Sequence, residues 1–287
     1  MDQTIRPPQR VAILSHPQVK EQAAFPAEVG AFLESHGVEV TQLAVVDDGF
    51  GSSLAAEGLD MLIALGGDGT MLKASYLAGP HHVPIMGVKL GRLGFLVEVA
   101  KENWEKALRR VLEGDFRLES RMRLHAEVVR GENVLGSWEA LNECVLGRGE
   151  IPRPVRLTAE IDQRQLTSYV ADALICATAT GSTAYALAAG GPILPPELRN
   201  LLLVPVAPHM SLDRAVVLPE GSAVRIVVDP AHEATLGIDG AIAKTLEGGD
   251  ELRVRASDSD IHFVRLQDPG YFFRNLTSHM NHFPSAG

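Results

Sequence analysis

Leu65-Gly66-Gly67-Asp68-Gly69-Thr70 is the stretch whose residue types and spacing point most directly to chemistry. It follows an apolar run, Leu59 to Leu65, and leads into a helical pattern read as Thr70 to Ala78, which Gly79-Pro80 stops. A strand that ends in glycines and turns into a helix gathers backbone N–H groups at a positive helix terminus, where phosphate binds. Gly66, Gly67, Gly69 and Thr70 are therefore the candidate phosphate loop. A lone carboxylate repels phosphate unless it takes a proton or carries a metal, so Asp68 is the candidate acting residue in phosphoryl chemistry. Taken alone, the tetrapeptide is equally well explained as a tight turn, because Gly and Asp are ordinary turn residues.

Three further polar clusters stand out. Asn142-Glu143 interrupts apolar segments, with Trp138 before it and Cys144-Val145-Leu146 after it. Such a pair can hydrogen-bond a ribose diol or a base edge; otherwise it marks a bulge or a strand end. Asp172 precedes the apolar run Ala173 to Ala177 and reads on its own as a turn residue. Thr178 to Tyr185 (Thr-Ala-Thr-Gly-Ser-Thr-Ala-Tyr) brings more hydroxyl and glycine positions than a helix cap uses, and leads into a helix read as Thr183 to Ala189. The P-loop pattern, a G-x-G-x-x-G opening the first helix, H-E-x-x-H and the G-x-S-x-G elbow are all absent. His81, His82, His279 and His282 read as solvated histidines rather than metal ligands, and no metal is expected on protein side chains.

These clusters have to be positioned by a scaffold. The 287 residues suffice for one large or two ordinary domains, and 46% hydrophobic with 22% charged residues is a globular profile. A net charge of −10 argues against nucleic acid or an anionic membrane as partner. Cys144 and Cys176 lack metal-ligand spacing and read as buried free thiols. No signal-like or membrane-length apolar run occurs, so the expected location is cytoplasmic.

From residue 9 or so to 115, short apolar runs alternate with helical patterns. The runs are Val11 to Leu14, Val38 to Val40, Leu59 to Leu65 and Val83 to Val88. A helix is read over 18–35, which Pro26 is expected to break or kink, and 47–58 reads as loop. Trp104, Ala107, Leu108, Val111 and Leu112 form an apolar helical stripe between Asn103 and Gly114. This predicts an open, Rossmann-like α/β domain with a mostly parallel sheet over 1–115. The period then becomes two, as in Val155 to Ile161, Val224 to Ile226 and Leu252 to Ala256, which predicts an antiparallel, β-sandwich-like domain over 116–266. Residues 267–287 are expected as a tail that packs back on the N-terminal domain.

In order along the chain, Gly66 to Thr70, Gly91-Arg-Leu-Gly-Phe-Leu96, Asn142-Glu143 and Thr180-Gly-Ser-Thr-Ala-Tyr185 through Ala189-Gly-Gly-Pro-Ile193 resemble the NAD kinase family. The likeness covers residues 10 to 275. The Gly-Gly-Asp-Gly element is shared with lipid kinases and 6-phosphofructokinases, whereas the 180–193 segment is much more specific. The resemblance implies an α/β domain followed by a β-rich domain, and phosphorylation of the 2′-hydroxyl of the adenosine ribose of NAD to give NADP. The donor would be ATP or polyphosphate, with Mg²⁺ as the divalent ion and a homodimer or homotetramer as the assembly. Asp68 matches the catalytic acid. It would act as general base or as metal ligand, and the sequence admits both. Gly69, Lys73, Asn142, Glu143, Asp172, Thr180, Thr183, Ala184, Tyr185, Ala186, Leu187, Ala188 and Ala207 match NAD-side positions, and Arg153 matches one that reaches substrate from a partner subunit in some members. The chain departs from the common pattern at Lys89, Val170, Ala179 and Ala241. The competing readings are a non-catalytic dinucleotide-binding regulatory protein and a lipid kinase.

Overall fold

The computed structural model describes residues 6–15, 24–44, 58–91, 94–149 and 153–281. The loop expected at 47–58 and the first turns of the helix expected from residue 18 therefore lie almost wholly outside the described residues. The chain divides into two compact units, 1–120 with 261–287, and 121–260.

The first unit begins β1 (Arg10–Ser15), α1 (Phe25–Ser35), β2 (Glu39–Ala44), β3 (Met61–Leu65), α2 (Asp68–Ala78) and β4 (Ile85–Lys89). It continues with β5 (Val99–Ala100), α3 (Trp104–Leu112) and β6 (Arg117–Arg121). Strands β1 and β3 are buried almost end to end, as continuous apolar runs covered on both faces should be. The pairings of β1 with β2 and β3, and of β3 with β4, are all parallel. Helices α1 and α3 bring Phe25, Val29, Leu33, Leu108 and Val111 against Val11, Ile13, Met61 and Ile63 in one core. Pro26 occupies the first turn of α1 and does not kink it, because a first-turn residue has no intrahelical use for the N–H that proline lacks. The stripe of α3 is buried as its spacing predicts.

The second unit contains β7 (Leu124–Arg130), β8 (Asn133–Ala140), β9 (Glu143–Gly147), β10 (Val155–Ile161), β11 (Arg164–Ala171) and β12 (Ala173–Thr178). Then come α3's successor α4 (Tyr185–Ala188), β13 (Asn200–Val206), β14 (Val216–Pro219), β15 (Val224–Val228), β16 (Ala234–Ile238), β17 (Ala241–Leu246) and β18 (Glu251–Ala256). They form two six-stranded sheets, in the orders β11-β10-β15-β18-β7-β8 and β14-β13-β12-β9-β16-β17. The pairings are antiparallel, in line with the two-residue period.

The chain then returns to the first unit as β19 (Ile261–Arg265) and α5 (Tyr271–Asn281). The seam expected at 116 and 266 thus falls at 120/121 and 260/261. The reason is pairing: β19 runs parallel to β4, and β6 lies beside β19, so both strands extend the α/β sheet. Both strands lie next to the β-rich unit in sequence, and local pattern does not say which sheet a strand joins.

Candidate active site

Asp68 is the first residue of α2, two residues before the helix start expected at Thr70. The carbonyl of Gly67 accepts the N–H groups of Thr70 (3.0 Å) and Met71 (3.1 Å), which closes the first turn around Asp68 and Gly69. The N–H of Gly66 donates to the Val88 carbonyl at 3.0 Å and ties the loop to the end of β4. Among the described residues, the N–H groups of Asp68 and Gly69 meet no backbone carbonyl. They lie at the positive end of an 11-residue helix, the arrangement that favours an anion. Lys73 follows on the same helix, half-buried.

The Asp68 carboxylate is held by the segment that follows β4, the neighbour of β3. Phe95 N–H donates to Oδ2 at 2.8 Å and Leu96 N–H to Oδ1 at 3.1 Å. A Cβ at Gly94 would stand 2.2 Å from Asp68 Oδ1, so the carboxylate reaches these amides only because residue 94 has no side chain. The glycine turn after β4 is thus the seat of Asp68, a role that the sequence left unassigned. The seat is braced in turn. Buried Arg265 donates to the Leu96 carbonyl at 2.8 Å and to Glu119 Oε1 at 3.1 Å, and Glu98 accepts the N–H of Leu266.

In the second unit, β8 ends at Ala140, residues 141–142 bend, and Glu143 opens β9. Asp239, in the turn between β16 and β17, accepts the N–H groups of Leu141 (2.7 Å), Asn142 (2.8 Å) and Glu143 (3.0 Å). Thr178 holds the other side of the same bend. Its hydroxyl donates to the Leu141 carbonyl at 2.6 Å and its N–H to the Asn142 carbonyl at 2.9 Å. Gly181 N–H donates to Thr178 Oγ1 at 3.1 Å, and a Cβ at Gly181 would lie 2.1 Å from the Asn142 carbonyl oxygen. The Asn-Glu bend and the Thr-Gly-Ser-Thr segment are therefore one packed unit.

Glu143 is 6% exposed, and its Oε2 has no hydrogen-bond partner among the described residues. Burial first, and then the charge of Asp239, push its carboxyl up to about 8, while a bond from the Tyr185 N–H pulls the other way. Cys144 and Cys176 face one another across β9 and β12. Burial raises both thiols, Cys176 to about 12, so they are inert packing groups.

The expected helix 183–189 is a 3-10 turn, Thr180–Thr183, followed by the single turn α4, and the hydroxyls of the segment bond backbone and side chains rather than cap a longer helix. Thr183 Oγ1 donates to the Thr180 carbonyl, Ser182 Oγ accepts the Leu194 N–H, and Thr180 Oγ1 accepts from Arg121. Ala186 is core, packed with Ile175, Ala177, Leu202 and Val204. Thr183, Ala184 and Leu187 are half-exposed, and Tyr185 and Ala188 exposed, beside Glu143.

Asp172 and Ala207 lie elsewhere. Asp172 precedes β12, pairs with Arg148 at 2.9 Å, and donates its N–H to Val206 next to Ala207. Thr178 closes the opposite end of β12. Six residues of strand span about 20 Å, so one chain does not bring Asp172 to the Asn142-Glu143 bend. Arg153 is exposed. Sequence reasoning missed the roles of Gly94, Thr178 and Asp239. Asp239-Gly240 between two strands was a legible turn signal, but its carboxylate's partners were not.

The chain matches the model of the ATP-NAD kinase N-terminal domain over residues 11–116 and that of the ATP-NAD kinase C-terminal domain over 141–266. An NAD kinase of Chloroflexus aurantiacus is 37% identical over 272 residues, covering 95% of this chain and 98% of that one. An NAD kinase of Heliobacterium modesticaldum is 42% identical over 215 residues, 75% of this chain and 76% of the relative. Among solved structures, yeast NADH kinase complexed with NADH superposes with a TM-score of 0.83 at 28% identity, covering 98% of this chain and 90% of that one. An NAD kinase from Archaeoglobus fulgidus in complex with ATP shares the fold, with a TM-score of 0.75 at 24% identity over 94% of this chain and 98% of that one. The chain belongs to the NAD kinase family.

Proposed function

We propose that this chain transfers the γ-phosphoryl group of ATP to the 2′-hydroxyl of the adenosine ribose of NAD, with Asp68 as general base. As a family member it is an enzyme, a kinase that phosphorylates NAD. The non-catalytic binding protein and the lipid kinase are not favoured. The observation that carries the proposed role of Asp68 is its carboxylate, fixed by two amides at the N-terminus of α2.

In the proposed step a bond forms between the 2′-oxygen and the γ-phosphorus, and the bond from that phosphorus to the ADP oxygen breaks. ADP leaves with the electron pair, and the hydroxyl proton passes to Asp68. The transfer is mostly positioning and charge neutralisation, and a held carboxylate with lone pairs left over suits it. The amides of Asp68 and Gly69, with Lys73, would face donor phosphates. Asn142 and Glu143 would hold the ribose and nicotinamide side of NAD. The unpartnered buried oxygen of Glu143 supports that role, because a buried polar atom without a hydrogen-bond partner is costly until a ligand supplies one. Thr180 and the 183–188 turn would line adenine and ribose.

Among the described residues, no group of three or more His, Cys, Asp or Glu side chains could hold a metal ion. One carboxylate beside phosphates nevertheless suits Mg²⁺, which binds through few protein ligands and adds charge neutralisation when bound. The proposed assembly is a homodimer or homotetramer in the cytoplasm. Asp172 and Ala207, and Arg153 with them, would contact NAD from a second copy, since Asp172 sits at the far end of β12. Mixing inactive Asp68→Asn with Asp172→Ala should then restore turnover in mixed assemblies, and no recovery would place Asp172 outside the site. Among the described residues no helix is long and apolar enough to cross a membrane.

The direct test is incubation with NAD, Mg²⁺ and either ATP or polyphosphate, with detection of NADP. Product with ATP is expected. Absence of product from both donors overturns the reading, and product from polyphosphate alone overturns the choice of donor.

A further inference from the structure

We infer that Asp239 is a positioning residue for the Asn142-Glu143 pair: one buried carboxylate gathers three consecutive backbone N–H groups and faces Glu143 with its charge. The inference rests on the reading of that pair as a contact to NAD.

A turn Asp ordinarily bonds the backbone two residues on. Asp239 instead reaches Leu141, Asn142 and Glu143, nearly a hundred residues earlier, at 2.7, 2.8 and 3.0 Å. Its own N–H donates back to the Glu143 carbonyl at 3.0 Å. The residue adopts a φ of 46°, a left-handed conformation uncommon for anything but Gly, Asn or Asp. The Asp-Gly turn would close without these side-chain bonds, so what they fix is the bend that carries Asn142 and Glu143.

The charges around the pair decide where its proton sits. Asp239 faces Glu143 from the β16–β17 turn, and Arg123, ahead of β7, is the cation that favours the Asp239 charge. Arg123 also feels Glu139 of β8 and Asp260, and it bonds Ser259. The Cys144 and Cys176 thiols are buried and raised, hence neutral. Tyr185 contributes an N–H. Two carboxylates in such a place do not both stay ionised. Three N–H donors hold the charge on Asp239, although burial raises its carboxyl from the ordinary value. Glu143, with one oxygen unpartnered and a carboxyl pushed up to about 8, takes the proton. At neutral pH it can then give one hydrogen bond and accept another, and hydroxyl groups can take both parts. As pH rises through about 8 it loses that donor and turns a second charge toward an anionic dinucleotide.

The test is Asp239→Asn, whose amide offers one acceptor oxygen and sets an NH₂ against the remaining N–H groups. The KM for NAD should rise about tenfold or more, the range for losing hydrogen bonds to a charged group, with kcat falling less. In the native enzyme KM for NAD should climb near pH 8, and in Asp239→Asn that climb should move to lower pH, because Glu143 no longer faces a charge. A folded Asp239→Asn with native KM and native pH profile overturns the inference. A purely structural role would lower thermal stability and the active fraction without moving the profile. Should Asp239→Asn fail to fold, Glu143→Gln decides: the climb near pH 8 must be present in the native enzyme and absent from the variant. A native KM that is flat from about pH 6 to 9, or one unchanged in Glu143→Gln, overturns the inference. NADP formation by the native enzyme in the same assays separates this failure from failure of the kinase reading.

Discussion

Asp68 in the first unit and Asp239 in the second are both carboxylates held by consecutive backbone amides, yet on the proposed function they are held for opposite purposes. Asp68 is half-exposed and takes two N–H groups from a segment 27 residues on, and the segment serves the side chain. Asp239 takes three N–H groups from a bend nearly a hundred residues earlier, and the side chain serves the segment. A missing Cβ makes the packing possible in each case, at Gly94 against the Asp68 carboxylate and at Gly181 against the Asn142 carbonyl. On the proposed function, the same local chemistry places a reacting group in one unit and a binding surface in the other. Which of the two it does depends on which partner keeps access to a ligand.

Four substitutions would break or sharpen this contrast. Asp68→Asn should lower kcat by at least ~10², the lower end for a positioned acid or base, while the KM for NAD stays within a few-fold. Steady-state NADP formation checks this, and near-native turnover would remove Asp68 from the chemistry. Gly94→Ala should act in the same direction and less strongly. A Cβ 2.2 Å from Oδ1 must displace the carboxylate, and misplacement of about 1 Å costs up to ~10² in rate, so a loss of about tenfold to hundredfold in kcat is expected. Gly181→Ala should show the complementary pattern. Its Cβ would press on backbone, so unfolding should report about 1–3 kcal/mol of destabilisation and the KM for NAD should rise more than kcat falls. Equal effects of the two glycine variants on kcat and KM would erase the contrast. The smallest change is expected at Glu105, a carboxylate about half exposed that pairs with Arg109, one turn on. Glu105→Gln should cost no more than about 0.5 kcal/mol in unfolding and leave both kinetic constants unaltered.

Much of this arrangement was legible in the residues. The continuous run at 61–65 had to be a strand buried on both faces, and the stripe from Trp104 to Leu112 had to cover it or a neighbour. Strict alternation over Val155 to Ile161 required a half-covered antiparallel strand. Asp68 was conspicuous because a carboxylate repels phosphate, although the tetrapeptide alone read equally well as a tight turn. Other features were not legible, because they depend on contacts distant in sequence. Leu96 holds both Asp68, through its N–H, and Arg265, through its carbonyl, and no period or propensity encodes a meeting of residues 68, 96 and 265. Ile261 to Arg265 follows directly on the strands of the β-rich unit, and its parallel pairing with β4 assigns it to the other unit. The Asp172 position was found as a motif match, but its distance along β12 from the Asn-Glu bend needed coordinates.

The return of β19 has a consequence for how the protein is made. Arg265 leaves the ribosome nearly 200 residues after Asp68, or roughly 10–40 s later at 5–20 residues per second. Until then the carbonyl of Leu96 lacks its guanidinium and β4, already paired with β3 and β5, lacks β19. A nascent chain halted at residue 260 would already carry every motif by which its family is known, and still lack the brace behind Asp68. The contact of Arg265 with Leu96, behind the two amides that hold Asp68, is thus among the last of the first unit to form during synthesis.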